Sequence, residues 1–325
     1  MPAPIMPSAP LRVLELFAGL GGVACACQGT EFMADIVAAI DINQPAAAIY
    51  QRNFPHPYHI REIESLTHAQ LSEYAADVWW MSPPCQPFTR RGKQRDLLDP
   101  RCRGLLHLID ALAVCKPWGI GLENVSGFVG SLAQQRLLNQ LDRLGYLVQS
   151  IELCPSQMGW PNRRPRYYLL AARTPLPEWR PLPKLDCTLA ELLDPEIAPE
   201  SESALQLQLP AAELERFWPA LDRIELQAVS EAHSTDSSRQ RLQPADTAIT
   251  ACFASSYGRV IARAGSYVQC GNSYRRCSPR EVARLLGFPD SFCMHGIALR
   301  AAWKLLGNSL SIPAVRYVLS HLTRV

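Results

Sequence analysis

The sequence lacks the cysteine and histidine patterns that hold most structural metals. None of its eleven cysteines forms a Cys-x-x-Cys pair, and none of its seven histidines has zinc-finger spacing relative to a cysteine. An odd number of cysteines also leaves at least one thiol outside any complete disulfide scheme. We therefore expect no metal and a reducing intracellular location, the cytoplasm being favoured and the nucleus remaining open.

Long apolar runs and a strong net charge are also missing. No segment approaches the roughly twenty apolar residues that span a bilayer, and Met1-Pro2-Ala3-Pro4 lacks the charged start of a secretion signal. The net charge of only +2 does not indicate a nucleic-acid partner, so charge must be examined locally. These absences predict a soluble protein with no membrane partner.

The most informative segment present is Ser82-Pro83-Pro84-Cys85-Gln86-Pro87-Phe88-Thr89-Arg90. It follows Asp77-Val78-Trp79-Trp80-Met81, which is typical of a short buried strand, and its two prolines end that strand. Cys85 is thereby placed at the carboxyl end of a strand, where open α/β sheets usually hold their chemistry. A buried structural cysteine is the common alternative, but the rigid backbone and polar surroundings favour a nucleophile.

Basic residues follow Cys85 closely, and only Asp96 and Asp99 oppose them. The basic residues are Arg90, Arg91, Lys93, Arg95, Arg101 and Arg103. Nearby positive charge favours a thiolate, and it also suits a phosphate backbone. A solvated charged loop is the alternative interpretation. Segment 89–103 is also a candidate lid over a bound nucleotide.

A glycine turn near the start of the chain predicts a nucleotide site. The strand-like run 11–17 breaks into Ala18-Gly19-Leu20-Gly21-Gly22, ahead of a helix-compatible segment. The spacing differs from the dinucleotide fingerprint Gly-x-Gly-x-x-Gly. A second strand ends in Asp41, where a carboxylate can meet ribose hydroxyls or, alternatively, cap a helix. Together these features predict a nucleoside-containing cofactor without a pyrophosphate.

Two further apolar runs are bordered by charged side chains. The run 118–125 ends in Glu123-Asn124-Val125, and a buried unpaired carboxylate at such an exit is costly or becomes protonated. Asn162-Arg163-Arg164-Pro165-Arg166 precedes the apolar run 167–172, and strand alternation would bring Arg164 and Arg166 to one face. Two neighbouring arginines bind an anion well, although an exposed edge is the alternative.

Six segments stand in the order seen in the S-adenosylmethionine-dependent cytosine-5 methyltransferases, and the chain resembles that family over nearly its whole length. They are LELFAGLGG, AIDIN, SPPCQPFTR, ENV, NRRPRYYLLA and LLGNSLSI. MSPPCQPFTR, Asn162 and SPREVARLLGFP resemble the branch of DNA methyltransferase homologues that modifies tRNA anticodon loops. The resemblance implies an α/β fold with a Rossmann-like, doubly wound mixed sheet and a smaller inserted target-recognition domain.

The resemblance also implies catalytic roles. Cys85 would attack carbon 6 of cytosine, and Glu123 would act as general acid at ring nitrogen 3. Arg164 would hold carbonyl oxygen 2 of the base, while Arg166 would brace the cysteine loop and Glu123. The implied nucleic-acid contacts around the nucleophile are Gln86, Thr89, Arg90, Arg91 and Lys93.

The implied cofactor is S-adenosylmethionine, which leaves as S-adenosylhomocysteine. Phe17 would stack near the adenine, and Asp41 would bind the ribose hydroxyls. The other cofactor residues expected from the resemblance are Gly19, Gly21, Gly22, Ile42, Pro83, Asn308 and Ser309. Without the family, Gly307-Asn308 would be interpreted as a helix stop.

Alternating strand-like and helical patterns up to about residue 172 predict a mostly parallel sheet covered on both faces. Four prolines between residues 175 and 183 then mark a boundary. We predict a catalytic, cofactor-binding domain over residues 1–173, a target-recognition domain over 174–276, and a segment, 277–325, that returns to the first domain. An insertion of this size favours tRNA over a long DNA site.

The sequence therefore predicts an enzyme that methylates carbon 5 of cytosine in nucleic acid. The tRNA anticodon loop is the favoured substrate, and duplex DNA is the alternative. An inactive nucleic-acid-binding module would require loss of Cys85, Glu123 or the glycine turn, and all are present. An unrelated oxidoreductase would leave Pro-Pro-Cys-Gln unexplained. We expect a monomer.

Overall fold

The structure, a computed structural model, describes residues 9–29, 32–89, 94–194, 206–218, 221–225, 242–244, 247–270 and 273–323. The chain divides into two compact units. Unit 1 comprises Met1–Leu153, Pro165–Arg180 and Ala314–Val325, and unit 2 comprises Cys154–Arg164 and Pro181–Pro313. The predicted domain bounds at 173 and 276 stay predictions. Three expected substrate contacts, Arg90, Arg91 and Lys93, lie outside the described residues.

Unit 1 is built on a seven-stranded mixed sheet. Its strands are β1 Leu11–Leu16, β2 Ala34–Asp41, β3 Tyr58–Ile60, β4 Val78–Met81, β5 Gly119–Asn124, β6 Leu147–Leu153 and β7 Arg166–Ala172. They are ordered β3-β2-β1-β4-β5-β7-β6, and only β7 runs antiparallel to its neighbours. This arrangement confirms the predicted α/β fold with a doubly wound mixed sheet.

The helices of unit 1 cover the sheet. They are α1 Gly22–Cys27, α2 Gln44–Asn53, α3 His68–Glu73, α4 Arg103–Cys115 and α5 Leu132–Arg143. Strands β4 and β5 are buried along their whole length, as expected for central strands covered on both faces. Helices α4 and α5 confirm that helical segments alternate with strands in this part of the chain.

Unit 2 contains a four-stranded sheet and short helices. Its strands are β8 Asp222–Glu225, β9 Leu242–Pro244, β10 Ser266–Cys270 and β11 Ser273–Arg276, in the order β11-β10-β8-β9. Its helices are α6 Leu189–Leu192, α7 Ala211–Phe217, α8 Pro279–Leu285 and α9 Leu299–Gly307, and α10 Ile312–Leu319 continues from unit 2 into unit 1. Helix α8 begins with a capping box formed by Ser278 and Glu281. Among the described helices of both units, none has the length and apolar character of a membrane span.

Candidate active site

The polar residues singled out in unit 1 lie at one edge of the large sheet. Parallel strands β1, β2, β4 and β5 present their carboxyl ends there, and antiparallel β7 begins there. Phe17, Asp41 and Cys85 follow or end the first three of these strands. Glu123 lies at the end of β5, and Arg166 is the first residue of β7. The strand order therefore gathers at one edge residues that are far apart in sequence.

Cys85 lies in a turn that is fixed at several points. Its carbonyl accepts a hydrogen bond from the Phe88 amide at 2.9 Å, and the Phe88 ring packs edge-on against Phe128 at 4.9 Å. Two residues before Cys85, the Pro83 carbonyl accepts a hydrogen bond from Asn124 Nδ2 at 3.2 Å. The Cys85 side chain is half-buried. A thiol held this way meets the positional requirement of a nucleophile.

Gln86 and Thr89 occupy the same turn. Thr89 Oγ1 donates to the Gln86 carbonyl at 3.3 Å, which tightens the turn. The side-chain oxygen Oε1 of Gln86 is buried and has no hydrogen-bond partner among the residues that the structure describes. A buried acceptor without a donor is costly, so this atom is suited to a donor that arrives with a ligand.

Glu123 is paired with Arg166 at the exit of β5. Arg166 Nε lies 3.1 Å from Glu123 Oε1, and the two side chains are only 12% and 10% exposed. Because the pair is largely removed from water, losing one partner would leave the other charge poorly compensated. Arg166 thus fixes the position of the carboxylate beside the cysteine turn.

Arg164 has a different environment from the one expected. It is 2% exposed, and its guanidinium donates to the carbonyls of Phe253 at 3.4 Å and Gly307 at 3.3 Å, as well as to the Ser309 carbonyl. These bonds within unit 2 hold the guanidinium on backbone carbonyls, and the expected contact of Arg164 with oxygen 2 of the base stays a prediction. Arg164 precedes β7 and does not share a strand face with Arg166.

The glycine turn after β1 has a backbone that only small residues tolerate. Gly21 has a φ of +82°, and a Cβ there would lie 2.5 Å from the Phe54 ring and 2.7 Å from the Tyr50 ring. Gly19 has a φ of +52° with open space around the position of a Cβ. Phe17 also has a positive φ of 58°. The turn is therefore packed on its inner side and open on the outer side.

Asp41 ties this turn to the end of β2. Its carboxylate accepts hydrogen bonds from the Gly19 amide at 2.9 Å and the Asn43 amide at 2.8 Å. Burial raises the pKa of Asp41, and these amide bonds act in the opposite direction. The adjacent Ile42 side chain is 61% exposed. A nucleoside needs an acceptor for its ribose hydroxyls, space beside the backbone and an apolar surface for its base. Asp41, the open glycine turn and Ile42 supply these three features, so the residues present fit the expected cofactor.

The last two predicted cofactor residues lie in unit 2. Asn308 ends α9 and is exposed, whereas Ser309 is buried. Gly307 approaches the backbone at 254–255 so closely that a Cβ would lie 2.4 Å from Ala254 C and Ser255 N. The segment 307–309 is thus fixed by this approach and by Arg164.

Glu15 is a buried acid beneath the glycine turn that sequence reasoning missed. It is 1% exposed, its Oε1 accepts the Val23 amide at 3.0 Å, and its Oε2 lies 3.5 Å from Tyr50 Oη. Tyr50 Oη is also 3.2 Å from His56 Nδ1. A glutamate inside the apolar stretch 13–17 was the available signal, since a charged residue there must find partners. Glu15 connects the first turn of α1 to α2.

We expect Glu15→Gln to change how stability depends on pH. Burial raises the pKa of Glu15 from an ordinary 4.5 to about 8. Between these values the folded chain keeps the proton and the unfolded chain loses it, so the Glu15 contribution to stability falls as pH rises. Thermal unfolding should show that wild type loses several degrees of Tm relative to Glu15→Gln between about pH 5 and about pH 8. The prediction would be contradicted if Tm varied with pH in parallel for wild type and Glu15→Gln. It would also be contradicted if the exposed variant Glu73→Gln altered the pH dependence of Tm as much as Glu15→Gln does.

The comparisons with known proteins agree on one family. The sequence profile described as C-5 cytosine-specific DNA methylase matches residues 11–324. The chain is 32% identical to the tRNA (cytosine(38)-C(5))-methyltransferase of Schizosaccharomyces pombe over 332 residues, which cover 96% of each protein. It is 28% identical to the DNA (cytosine-5)-methyltransferase of Dictyostelium discoideum, over 96% of this chain and 94% of that protein. Among solved structures, the methyltransferase EhMeth of Entamoeba histolytica matches with a TM-score of 0.82 at 25% identity, over 97% of this chain and 98% of that one.

Proposed function

The chain belongs to the family of C-5 cytosine-specific DNA methylases, and we propose that it methylates carbon 5 of cytosine in a tRNA anticodon loop. The observation that carries the chemistry is the placement of Cys85 and Glu123 at the ends of neighbouring strands, joined by the Asn124 to Pro83 hydrogen bond. The name of the Schizosaccharomyces pombe relative supports cytosine 38 of tRNA as the target. A tRNA substrate also fits a cytoplasmic enzyme.

In the proposed reaction, the Cys85 thiolate attacks carbon 6 of cytosine, forming a sulfur–carbon bond while the double-bond electrons move toward carbon 5. Glu123 holds a proton at ring nitrogen 3 and so offsets the negative charge that the attack places on the ring. Arg166 keeps the Glu123 carboxylate in position. Bound S-adenosylmethionine supplies an electrophilic methyl group. A base such as water would then take the carbon 5 proton, so that the carbon 5–carbon 6 double bond reforms, the Cys85 sulfur leaves as thiolate and the nitrogen 3 proton returns to Glu123.

The glycine turn is the proposed cofactor site. Gly19, Gly21 and Gly22 would leave room for the methionine portion, since the outer side of Gly19 is open. Asp41 keeps acceptor capacity for ribose hydroxyls, and Phe17 and Ile42 offer apolar surface to the adenine. The cofactor contacts of Pro83, Asn308 and Ser309 stay predictions from the family resemblance.

The substrate can be tested by methyl transfer from labelled S-adenosylmethionine to three nucleic acids: a tRNA with cytosine at position 38, the same tRNA with uracil there, and duplex DNA. We expect label in the first tRNA only at that cytosine, and slower transfer to DNA. Transfer to duplex DNA with none to tRNA would overturn the tRNA assignment and favour the activity in the name of the Dictyostelium discoideum relative.

A further inference from the structure

Leu98 is the most exposed large apolar side chain in the described part of the chain. It is 85% exposed, and the next, Ile42, is 61% exposed. A single exposed leucine is common on protein surfaces. Here, however, the neighbouring Leu97 packs against the core of unit 1, so the backbone that carries Leu98 is held in place.

The turn that carries Leu98 is also anchored by Asp96. The Asp96 carboxylate accepts the amides of Leu132 at 2.6 Å and Ala133 at 3.1 Å, at the start of α5. Its backbone amide donates to the Pro87 carbonyl at 3.5 Å, and its carbonyl accepts from Cys102 Sγ at 3.0 Å. The turn is therefore fixed to the segment that holds Cys85, because Pro87 lies two residues after that cysteine.

Positive charge surrounds the exposed leucine. Arg95, Arg101 and Arg103 are exposed. Arg101 pairs with the buried Asp99 at 2.6 Å, and no side-chain contact of Arg95 or Arg103 is found within the described ranges. The pKa of Arg101 is raised mainly by its hydrogen bond to Asp99, and the charge of Cys85 contributes in the same direction.

We propose that Leu98 is a wedge that packs between bases of the RNA loop beside the target cytosine, with Arg95 and Arg103 on flanking phosphates. A stacked base cannot reach an enzyme nucleophile, and apolar side chains that enter a base step unstack it. Phosphate contacts from arginines fix the register of such a complex. This inference rests on the proposed function for its choice of RNA.

A nucleic acid suits this surface better than a protein partner does. Exposed arginines lie on both sides of Leu98 in the sequence, Arg95 before it and Arg101 and Arg103 after it, and a nucleic-acid backbone is the polyanion that such cations bind. An exposed apolar side chain near several cations suits a single-stranded nucleic acid, which offers base faces and phosphates together.

The test compares Leu98→Ala with the control Leu147→Ala, which truncates a leucine that is 51% exposed on β6. Each is assayed on an anticodon stem–loop and on an unstructured RNA of the same loop sequence. We expect Leu98→Ala to lower kcat/KM about tenfold on the stem–loop and less than about twofold on the unstructured RNA, since only the first must be unstacked. Leu98→Phe should retain activity on the stem–loop, because its ring can also stack.

A second readout does not depend on catalysis. With 2-aminopurine next to the target cytosine of the stem–loop, wild type should raise its fluorescence on binding, and Leu98→Ala should not. Equal activity of Leu98→Ala and wild type on the stem–loop, or equal losses on both RNAs, would overturn the wedge. If wild type methylated neither RNA, the proposed substrate would be refuted instead. The ratio of kcat/KM between wild type and Leu98→Ala would then be measured with duplex and single-stranded DNA.

Discussion

Cys85→Ala is expected to lower methyl transfer to tRNA by on the order of 10⁴-fold or more, because the reaction cannot begin without a sulfur–carbon bond. Affinity for S-adenosylmethionine should change little, since the proposed cofactor groups lie at the glycine turn and at the end of β2. The two measurements are single-turnover transfer of labelled methyl and calorimetric titration of the cofactor. Loss of both would indicate a damaged fold and not a missing nucleophile.

A matched control is Cys115→Ala, which also removes a half-buried thiol of unit 1. Cys115 Sγ contacts Ser72 Oγ at 3.3 Å and the His68 carbonyl at 3.4 Å, on the α3 and α4 side of the unit. This variant should keep its activity. A tRNA with 5-fluorocytosine at the target position should trap a covalent adduct on wild type and on Cys115→Ala, but not on Cys85→Ala. If Cys85→Ala turned over at the wild-type rate, Cys85 would not be the nucleophile.

The sequence predicts those parts of the site that depend on local pattern. The apolar run before Pro83 and Pro84 locates β4 and therefore Cys85, and the run before Asn124 locates β5 and Glu123. In both cases the functional residue lies next to a strand whose burial the residue types already indicate. The parallel order of the strands then places both residues at one edge.

Contacts between distant residues were not predictable in the same way. Arg164 bonds to carbonyls more than a hundred residues later in the chain, and Asp96 caps a helix that begins thirty-six residues further on. Strand alternation placed Arg164 beside Arg166, but β7 begins only at Arg166, so the two have different surroundings. Long-range partners decide such roles, and one sequence does not give them.

Glu123→Gln is expected to lower kcat by about 10²- to 10⁴-fold, the usual contribution of a positioned acid. Glutamine keeps the size of the side chain and an oxygen that can accept from Arg166, so the fold and cofactor affinity should persist. The rate should be measured under single-turnover conditions over a range of pH, which separates chemistry from product release. A variant that transfers methyl at the wild-type rate would show that Glu123 does not act on the base.

Arg166→Met tests whether Arg166 acts through Glu123 or touches the base itself. If it acts only through Glu123, the double variant Glu123→Gln/Arg166→Met should be no slower than Glu123→Gln, because the group that Arg166 positions is already gone. Asp110 and Arg136 provide the control, since they form an exposed ion pair at 2.9 Å for which removal should cost at most about 1 kcal/mol and leave the rate unchanged. A double variant slowed by the product of the two single effects would assign Arg166 a contact of its own with the cytosine.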